Sequence, residues 1–326
     1  MKTTKKEQDF ANILITNSEG KKLLPIIISL DEPETHQHPY RQRALIKSIQ
    51  KIINNKSDEF IELLQDVFGI DGLIGQLFVV THSPNILLND YKQMIRLYKT
   101  NGKVYVRCGQ NIEFGPKTEK HLRRSFMYFK EAMFSKYIIL VEGDTEFGAL
   151  PVFIERMAYD IDEKSIGIIK LDGADSVPRC MELYNAYDIK AIAIIDKDKE
   201  ETYKGHKDIF FTKEIDFEAE VYRCFEFSDY MKYQKTIGKI GHFIKFLKTK
   251  VVDFKPGEFA RDPSKCKVSK EVQDEIMSFN ERNEVEDLRK IKNAVNGALL
   301  ARYVSEIPTI FQSTIERVIN ELDSDD

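Results

Sequence analysis

Acidic residues follow two apolar segments of the sequence at the positions where strands would end. They are Glu142 and Glu146 after Tyr137–Val141, and Asp196 and Asp198 at the end of Ala191–Asp196. The carboxyl ends of parallel strands meet at one edge of a sheet, so these carboxylates should converge. Close carboxylates repel each other unless a cation lies between them, and Mg²⁺ or Mn²⁺ suits oxygen ligands. Two such ions could support phosphodiester cleavage, whereas solvated loop acids are the simpler structural interpretation.

A second acidic group lies nearer the start of the chain. Asp31 and Glu32 directly follow the apolar run Leu23–Leu30. An Asp in this place can hold Mg²⁺ through water, and the adjacent Glu can orient or deprotonate the water that attacks a γ-phosphate. A helix N-cap with acidic first-turn residues explains Asp31–Glu34 equally well. His82 follows the next apolar run, Leu77–Thr81, and should project from the same sheet edge.

Composition narrows the class of protein. The 326 residues suggest about two domains. A net charge of −4 argues against a nucleic-acid binder held by bulk positive charge alone. Apolar runs fall far short of the ~20 residues of a membrane helix. The four Cys show neither metal spacing nor a disulfide framework. We therefore expect a cytoplasmic protein with no membrane partner.

The segments that must position the acids alternate between strand and helix patterns. The first group has strands Leu23–Leu30 and Leu77–Thr81, both continuous apolar runs typical of burial on two faces, around a helix from about Tyr40 to Phe68. Asn101-Gly102 predicts a hairpin turn. The second group has strands Tyr137–Val141, Ser165–Leu171 and Ala191–Asp196, with helices Thr145–Tyr159 and Ser176–Tyr187 between them. This order predicts α/β domains with parallel sheets.

Later segments complete the expected organisation. Strand Asp208–Thr212 precedes the acidic run Glu214–Glu220, and the chain becomes helical and polar beyond Phe227. One amphipathic helix should carry Leu288, Ile291, Val295, Ala298 and Arg302 on one side. We place the boundary between the two domains near residue 134, which gives domains 1–133 and 134–326.

The order of a Glu-Gly after one strand and an Asp-x-Asp after a later one resembles the TOPRIM fold of topoisomerases, primases and nucleases of the OLD (overcoming lysogenization defect) family. Leu140-Val141-Glu142-Gly143-Asp144-Thr145-Glu146 is particularly similar to the OLD version. The resemblance implies metal ligands at Glu142, Glu146, Asp196, Asp198, Asp216 and Glu218, and leaves Glu220 unassigned. It also implies a late catalytic Lys beside the catalytic acids Glu142 and Asp196, with Lys292 preferred to Lys290.

The first segment resembles an ABC-type ATPase of the SMC kind. Asp31 is similar to the Walker B Asp, Glu32 to the catalytic Glu, His82 to the switch histidine, and Ser18-Glu19-Gly20 to a shortened signature motif. No G-x-x-x-x-G-K-[S/T] occurs in the sequence, so a phosphate-cradling loop is missing. The resemblance implies the C-terminal half of an ATPase lobe. Three interpretations remain open. A partner chain could carry the Walker A half and so permit ATP binding, the chain could be a fragment, or the lobe could be purely structural.

Together the resemblances match the tandem order of the OLD family, which includes the nuclease subunit of the Gabija antiphage system. They imply an endonuclease that cleaves DNA in antiviral defence, uses two Mg²⁺ or Mn²⁺ ions and works as a homo-oligomer or with a partner chain. The chain alone should not hydrolyse ATP. Candidate DNA-phosphate contacts are Lys117, Lys120, Arg123, Arg124, Lys130, Lys245, Lys248 and Lys250.

Two alternatives remain beside the nuclease. The first is a non-catalytic assembly subunit of a multi-chain defence or toxin complex whose partner supplies the Walker A half. The second is a topoisomerase or primase, which would need a domain with a nucleophilic Tyr or a primase zinc module. Neither module is recognisable in the sequence, so the second alternative is disfavoured.

Overall fold

The computed structural model describes residues 10–171, 173–265, 267–279 and 281–325. It contains two compact units that divide between Met94 and Ile95. Segment 95–133 groups with the second unit, and the domain boundary near residue 134 stays a prediction. Among the described residues, no helix has the length and the apolar run that crossing a membrane requires.

The first unit is built on a small sheet with strand order β1-β2-β3. Its strands are β1 (Ile15–Thr16), β2 (Lys22–Asp31) and β3 (Gly72–Val80), and β2 runs parallel to β3 with Asp31 opposite Val80. The crossover contains two helices, α1 (Pro39–Ile53) and α2 (Asp58–Phe68). The prediction of one helix over this stretch is wrong. Asn55 has a left-handed φ of 53°. Its side-chain Oδ1 accepts a hydrogen bond from the Leu73 N–H, and its Nδ2 donates one to the Leu73 carbonyl.

The sheet of the first unit is covered on one face by the described elements. Leu64, Ile70 and Leu73 form its small core, against which Leu24 and Ile26 pack. Exposure alternates along β2 and along the second half of β3, and Ile27 and Phe78 are 72% and 48% exposed. The expectation that both strands are buried on two faces is therefore wrong for the described part of the chain.

A hairpin opens the second unit, as Asn101-Gly102 predicts. Strands β4 (Ile95–Thr100) and β5 (Lys103–Cys108) are antiparallel, with φ of 49° and 72° at the two turn residues. Positive φ at both positions is the geometry of a two-residue type I′ turn, which Asn-Gly favours. Helix α3 (Pro116–Ala132) follows the hairpin.

The second unit contains a four-stranded, all-parallel sheet with order β7-β6-β8-β9. The strands are β6 (Tyr137–Val141), β7 (Ile166–Lys170), β8 (Lys190–Ile195) and β9 (Ile209–Phe211). Helices α4 (Asp144–Arg156) and α5 (Val177–Asn185) form crossovers, and α6 (Glu200–Tyr203) precedes β9. Every residue of β6 is buried, as expected of a central strand in a parallel sheet covered on both faces.

The rest of the second unit is helical. It contains α7 (Phe217–Arg223), α8 (Phe227–Thr236), α9 (Gly241–Lys250), α10 (Pro256–Arg261), α11 (Lys270–Phe279), α12 (Glu281–Arg289), α13 (Ala294–Tyr303) and α14 (Thr309–Asp325). The single amphipathic helix predicted around Leu288 and Val295 is wrong. Asn293 caps a new helix by accepting a hydrogen bond from the Asn296 N–H at 2.8 Å, and Val295 is 73% exposed.

Helices α4 and α13 cross at two glycines. A Cβ on Gly297 would lie 1.9 Å from the carbonyl oxygen of Thr145, and one on Gly148 would lie 1.9 Å from that of Ala294. Only hydrogen at these positions allows the two backbones to approach this closely. The crossing fixes the turn that precedes α13, where Lys292 lies, against the helix that carries Glu146.

Candidate active site

Two strand ends supply the first acids of the site. Glu142 follows β6, and its Oε2 accepts a hydrogen bond from the backbone N–H of Asp196 at 3.1 Å. Asp196 follows β8, which pairs directly with β6. Its Oδ1 accepts from the N–H of Phe217 at 3.2 Å, so the end of β8 is also tied to the start of α7. The predicted convergence of these two acids is present.

Glu146 adds a buried acid from the first turn of α4, one helical turn after Glu142. Burial is the main cause that raises the pKa of Glu146 to about 8, and the charge of Asp196 adds to it. Burial likewise raises the pKa of Asp196 to about 7, with the charges of Glu142 and Asp216 contributing. Desolvation by burial, with like charges nearby, accounts for both shifts.

Helix α7 supplies two more acids. Asp216 caps the helix by accepting from the Ala219 N–H at 3.0 Å, and its other oxygen lies 2.6 Å from Nε of Arg289. Glu218 is 1% exposed, and its Oε2 lies 2.9 Å from Nζ of Lys292, without the geometry of a hydrogen bond. Burial lowers the pKa of Lys292, but Glu218 and the other acids outweigh it, so the net pKa is raised.

Some predicted residues are separate from this group. Asp198 is exposed in the turn Lys197–Lys199, and its role as a ligand stays a prediction. Lys290 pairs with Asp287 at 2.8 Å, so Lys292, not its rival, lies beside the acids. Glu220 is buried and accepts from the Glu214 N–H at 2.7 Å, a local contact that leaves it unassigned.

The sequence predicts one of the two charge partners of the α7 acids, Lys292, but not the other, Arg289. Nothing local in the sequence marks the contact of Arg289 with a residue 73 positions away, because most Arg residues on a polar helix are solvated. Among the proposed DNA contacts, Lys130 is buried and Lys250 pairs with Glu275 at 2.6 Å. Burial makes the assignment of Lys130 wrong for a surface contact.

The donor chemistry fits a hard divalent cation, although the present arrangement does not form a finished site. Carboxylate oxygens are the ligands that Mg²⁺ and Mn²⁺ prefer, and Glu146 and Asp196 show the mutual repulsion that a cation would relieve. In the described ranges, no three His, Cys, Asp or Glu side chains are grouped closely enough to hold an ion. Asp216 and Glu218 contact cationic side chains instead. An ion at Asp216 or Glu218 would therefore compete with these two cationic side chains.

The first unit brings its own predicted residues to one sheet edge. Glu32 donates its backbone N–H to the Val80 carbonyl at 2.9 Å, which places Asp31, Glu32 and His82 at the carboxyl ends of β2 and β3. Glu32 Oε1 lies 3.6 Å from Nε2 of His82, and both side chains are exposed. The N-cap alternative is wrong, because α1 begins at Pro39 and its N-cap is His38.

Ser18 and Gly20 lie at the opposite end of β2. They belong to the turn between β1 and β2, where the Gly20 N–H donates to the Asn17 carbonyl at 3.0 Å. The ten residues of β2 span roughly 30 Å. Within this chain, therefore, the predicted signature segment does not meet Asp31 and Glu32.

Glu34 is the acid that organises this edge, whereas the sequence suggests only a helix-cap role for it. Its Oε1 accepts from Oγ1 of Thr81 and from the His82 N–H, both at 2.7 Å. Burial raises the pKa of Glu34, but the hydrogen bonds from Thr81 and His82 outweigh it and leave the pKa below its ordinary value. An acid three residues after the strand-end Asp was the available signal.

Two segments of the chain match protein-family models. Residues 133–198 match the TOPRIM domain of overcoming lysogenization defect protein-like proteins, and residues 5–87 match an AAA ATPase domain. The TOPRIM match contains both strand-end motifs, and the ATPase match contains the β2 and β3 strand ends. The predicted resemblance to the OLD family is confirmed, as is the α/β fold class with an ATPase-like segment before a TOPRIM sheet.

Two curated relatives are nucleases. Old nuclease of Escherichia phage P2 is 26% identical over 215 residues, which cover 63% of this chain and 33% of the relative. Endonuclease GajA of Bacillus cereus (strain HuB5-5) is 27% identical over 198 residues, which cover 53% of this chain and 26% of the relative. The matched region thus spans about a third or less of either relative.

Solved structures of OLD proteins are also similar. The C-terminal region of the Burkholderia pseudomallei OLD protein gives a TM-score of 0.36 at 14% identity and covers 58% of this chain and 99% of that one. The C-terminal region of the Xanthomonas campestris pv. campestris OLD protein gives 0.35 at 17% identity, with 59% and 96% covered.

Proposed function

We propose that this chain is a divalent-metal-dependent endonuclease of the OLD type that hydrolyses DNA phosphodiester bonds in antiviral defence. The single observation that carries the proposal is the group of acids at the carboxyl edge of the TOPRIM sheet. Glu146 and Asp196 are desolvated there with raised pKa values, and Lys292 lies in the same space. Desolvated acids whose pKa values are shifted by neighbouring charges are typical of active sites.

The proposed ligands divide between two parts of the site. Glu142, Glu146 and Asp196 come from β6, α4 and β8, while Asp216 and Glu218 come from the start of α7, and Asp198 follows Asp196. Divalent ions bound by these acids would supply an activated water and stabilise the leaving oxygen. Two of these acids are already held by backbone hydrogen bonds, Glu142 by the Asp196 N–H and Asp196 by the Phe217 N–H, and would orient the ions from those positions.

Lys292 has a separate role in the proposal. Its ammonium group lies at the buried Glu218, and the surrounding acids raise its pKa, so it carries a positive charge at neutral pH. A fixed cation beside the reacting phosphate would offset the negative charge that develops there. Since the same group also neutralises Glu218, Lys292 would both hold that acid and contact the substrate.

Nucleotide binding at the first unit would control this activity. Asp31, Glu32 and His82 share one sheet edge, where Asp31 would hold Mg²⁺ through water and Glu32 would activate the attacking water. Ser18 and Gly20 would serve a different ATP site, since they lie at the far end of β2. ATP would bind when a partner chain supplies the Walker A half, because a second copy of this sequence contains no such motif. A homo-oligomer is a separate part of the proposal.

The test is cleavage of supercoiled plasmid DNA by the purified chain with Mg²⁺ or Mn²⁺. Nicking that EDTA abolishes and that Asp196→Ala reduces at least about 100-fold is the expected result. Asp274→Ala, which removes an acid of helix α11, is the matched control and should nick normally. If Asp196→Ala cleaved DNA at the wild-type rate, the assignment of Asp196 would be wrong.

A second function is a non-catalytic assembly subunit of a defence or toxin complex. The observation in its favour is that Asp216 and Glu218 already contact Arg289 and Lys292, with no grouped metal ligands in the described part of the chain. Absence of cleavage with every ion, together with a stable complex formed with a partner that carries a Walker A motif, would favour this function.

A further inference from the structure

The acids of the candidate site differ in what neutralises them. Asp216 and Glu218 each contact a cationic side chain from the segment that joins α12 to α13, Arg289 and Lys292 respectively. Glu142 and Asp196 accept hydrogen bonds from backbone N–H groups instead. The charge of the α7 acids is therefore balanced inside the protein, while the strand-end acids repel each other.

Both carboxylate oxygens of Asp216 have a hydrogen-bond partner, and Arg289 is one of the two. One oxygen of Asp216 accepts from the Ala219 N–H, and the other lies 2.6 Å from Nε of Arg289. Asp216 is 14% exposed and Arg289 is 29% exposed, so the pair is shielded from water more than a surface pair is. A divalent ion bound to Asp216 would lie close to the Arg289 guanidinium at the same carboxylate, and the two cations would repel each other.

Arg289 is also placed so that it can move away. It is the last residue of α12, and four residues separate it from the first residue of α13. Its NH1 contacts Glu286 on its own helix, which offers the guanidinium a second carboxylate when Asp216 is taken. Lys290, the next residue, pairs with Asp287 and does not contact the site.

We propose that Arg289 is a positioning residue that occupies Asp216 as an internal counter-cation in the metal-free protein, and that a divalent ion at the α7 acids must displace it. The inference rests on the proposed metal-dependent function. An ion at Glu142, Glu146 and Asp196 would displace no such cation and should therefore bind more tightly than an ion at the α7 acids. The protein should therefore bind two ions with unequal affinity, the weaker one at Asp216 and Glu218.

The test measures Mn²⁺ binding to the full chain by calorimetry or electron paramagnetic resonance. Wild type should show a tight and a weak class of sites, and Arg289→Gln should tighten the weak class about tenfold because the competing cation is gone. Arg289→Lys should restore much of the difference. Lys290→Gln removes the neighbouring cation from a surface pair and should bind as wild type does. An unchanged or weakened second class in Arg289→Gln overturns the inference.

Thermal unfolding separates this role from a purely structural one. In EDTA, Arg289→Gln should unfold at a lower temperature than wild type, since the shielded Asp216 loses its partner. Saturating Mn²⁺ should remove that difference. An equal loss of stability with and without Mn²⁺ would mean that Arg289 only holds the fold together, and the inference would fail.

Failure of the proposed function gives a different pattern. If plasmid is not cleaved but the Mn²⁺ isotherms change as expected, the inference stands and the nuclease assignment fails. If plasmid is cleaved and Arg289→Gln leaves both classes of sites unaltered, the nuclease assignment stands and the inference fails. A wild-type protein that binds no Mn²⁺ contradicts both.

Discussion

The acids that follow β2 and those that follow β6 and β8 come after similar apolar strands, yet they have different surroundings. β2 alternates between exposed and half-buried residues, and Glu32 and His82 at its edge are exposed. β6 is buried throughout, and Glu146 beside it is buried as well. The difference comes from the number of layers, because helices of the second unit cover both faces of its sheet.

This contrast shows what a strand-end acid motif means by itself. An exposed acid keeps its hydration and exerts little electrostatic influence on its neighbours. A buried one loses hydration, so neighbouring charges act over a lower dielectric and raise the pKa of Glu146 to about 8. Burial is therefore the property that distinguishes the acids of the two regions.

The largest effect is expected where α13 meets α4. Gly297→Ala would place a Cβ 1.9 Å from the Thr145 carbonyl oxygen, a backbone atom that cannot rotate away. We expect the free energy of unfolding in urea to fall by about 3 kcal/mol or more. Gly241→Ala is the control, since its Cβ would meet no heavy atom within 4 Å. Similar stability of the two variants would contradict the close helix crossing.

The second prediction compares two buried glutamates on α7. Glu218→Gln removes the charge that faces Lys292, and we expect plasmid nicking to fall about 100-fold. Glu220→Gln keeps an oxygen that can accept from the Glu214 N–H and should nick within about threefold of wild type. Equal losses in the two variants would mean that burial alone, and not position in the site, makes these acids important.

The third prediction addresses the first unit. Glu34→Ala removes the acceptor for the Thr81 hydroxyl and the His82 N–H, and should cost about 1 kcal/mol of stability in the first unit. Hydrogen exchange at His82 should become faster. Glu32→Ala removes an exposed side chain 3.6 Å from His82 and should change stability by about 0.5 kcal/mol or less. A larger effect for Glu32 than for Glu34 would reverse the assignment of the organising acid.

The smallest effect concerns pH. The hydrogen bonds of Glu34 hold its folded-state pKa below the ordinary value of 4.5, so its contribution to stability is complete above pH 4.5 and is lost as pH falls through the lowered pKa. The stability difference between wild type and Glu34→Ala should therefore shrink between pH 6 and pH 3, as measured in urea. A difference that grows on acidification would mean that the pKa is raised.

Local patterns predicted many elements correctly because they depend on near neighbours. Asn101-Gly102 specified a hairpin turn, and continuous apolar runs located β6 and β8 within a residue or two. Errors arose where a distant contact decided the outcome. Asn55 breaks the first helical segment through its bonds to Leu73, and Ile27 is exposed because the described elements leave one sheet face uncovered.

The sequence by itself determined which acids follow parallel strands and in what order, because strand ends and Glu-Gly and Asp-x-Asp spacings are local properties. Only the tertiary structure decided which acids are desolvated and which cations neutralise them. The contacts of Arg289 with Asp216 and of Lys292 with Glu218 join residues that are more than 70 positions apart. Charge pairing and burial depend on how helices pack over a sheet edge, and no local spacing encodes that arrangement.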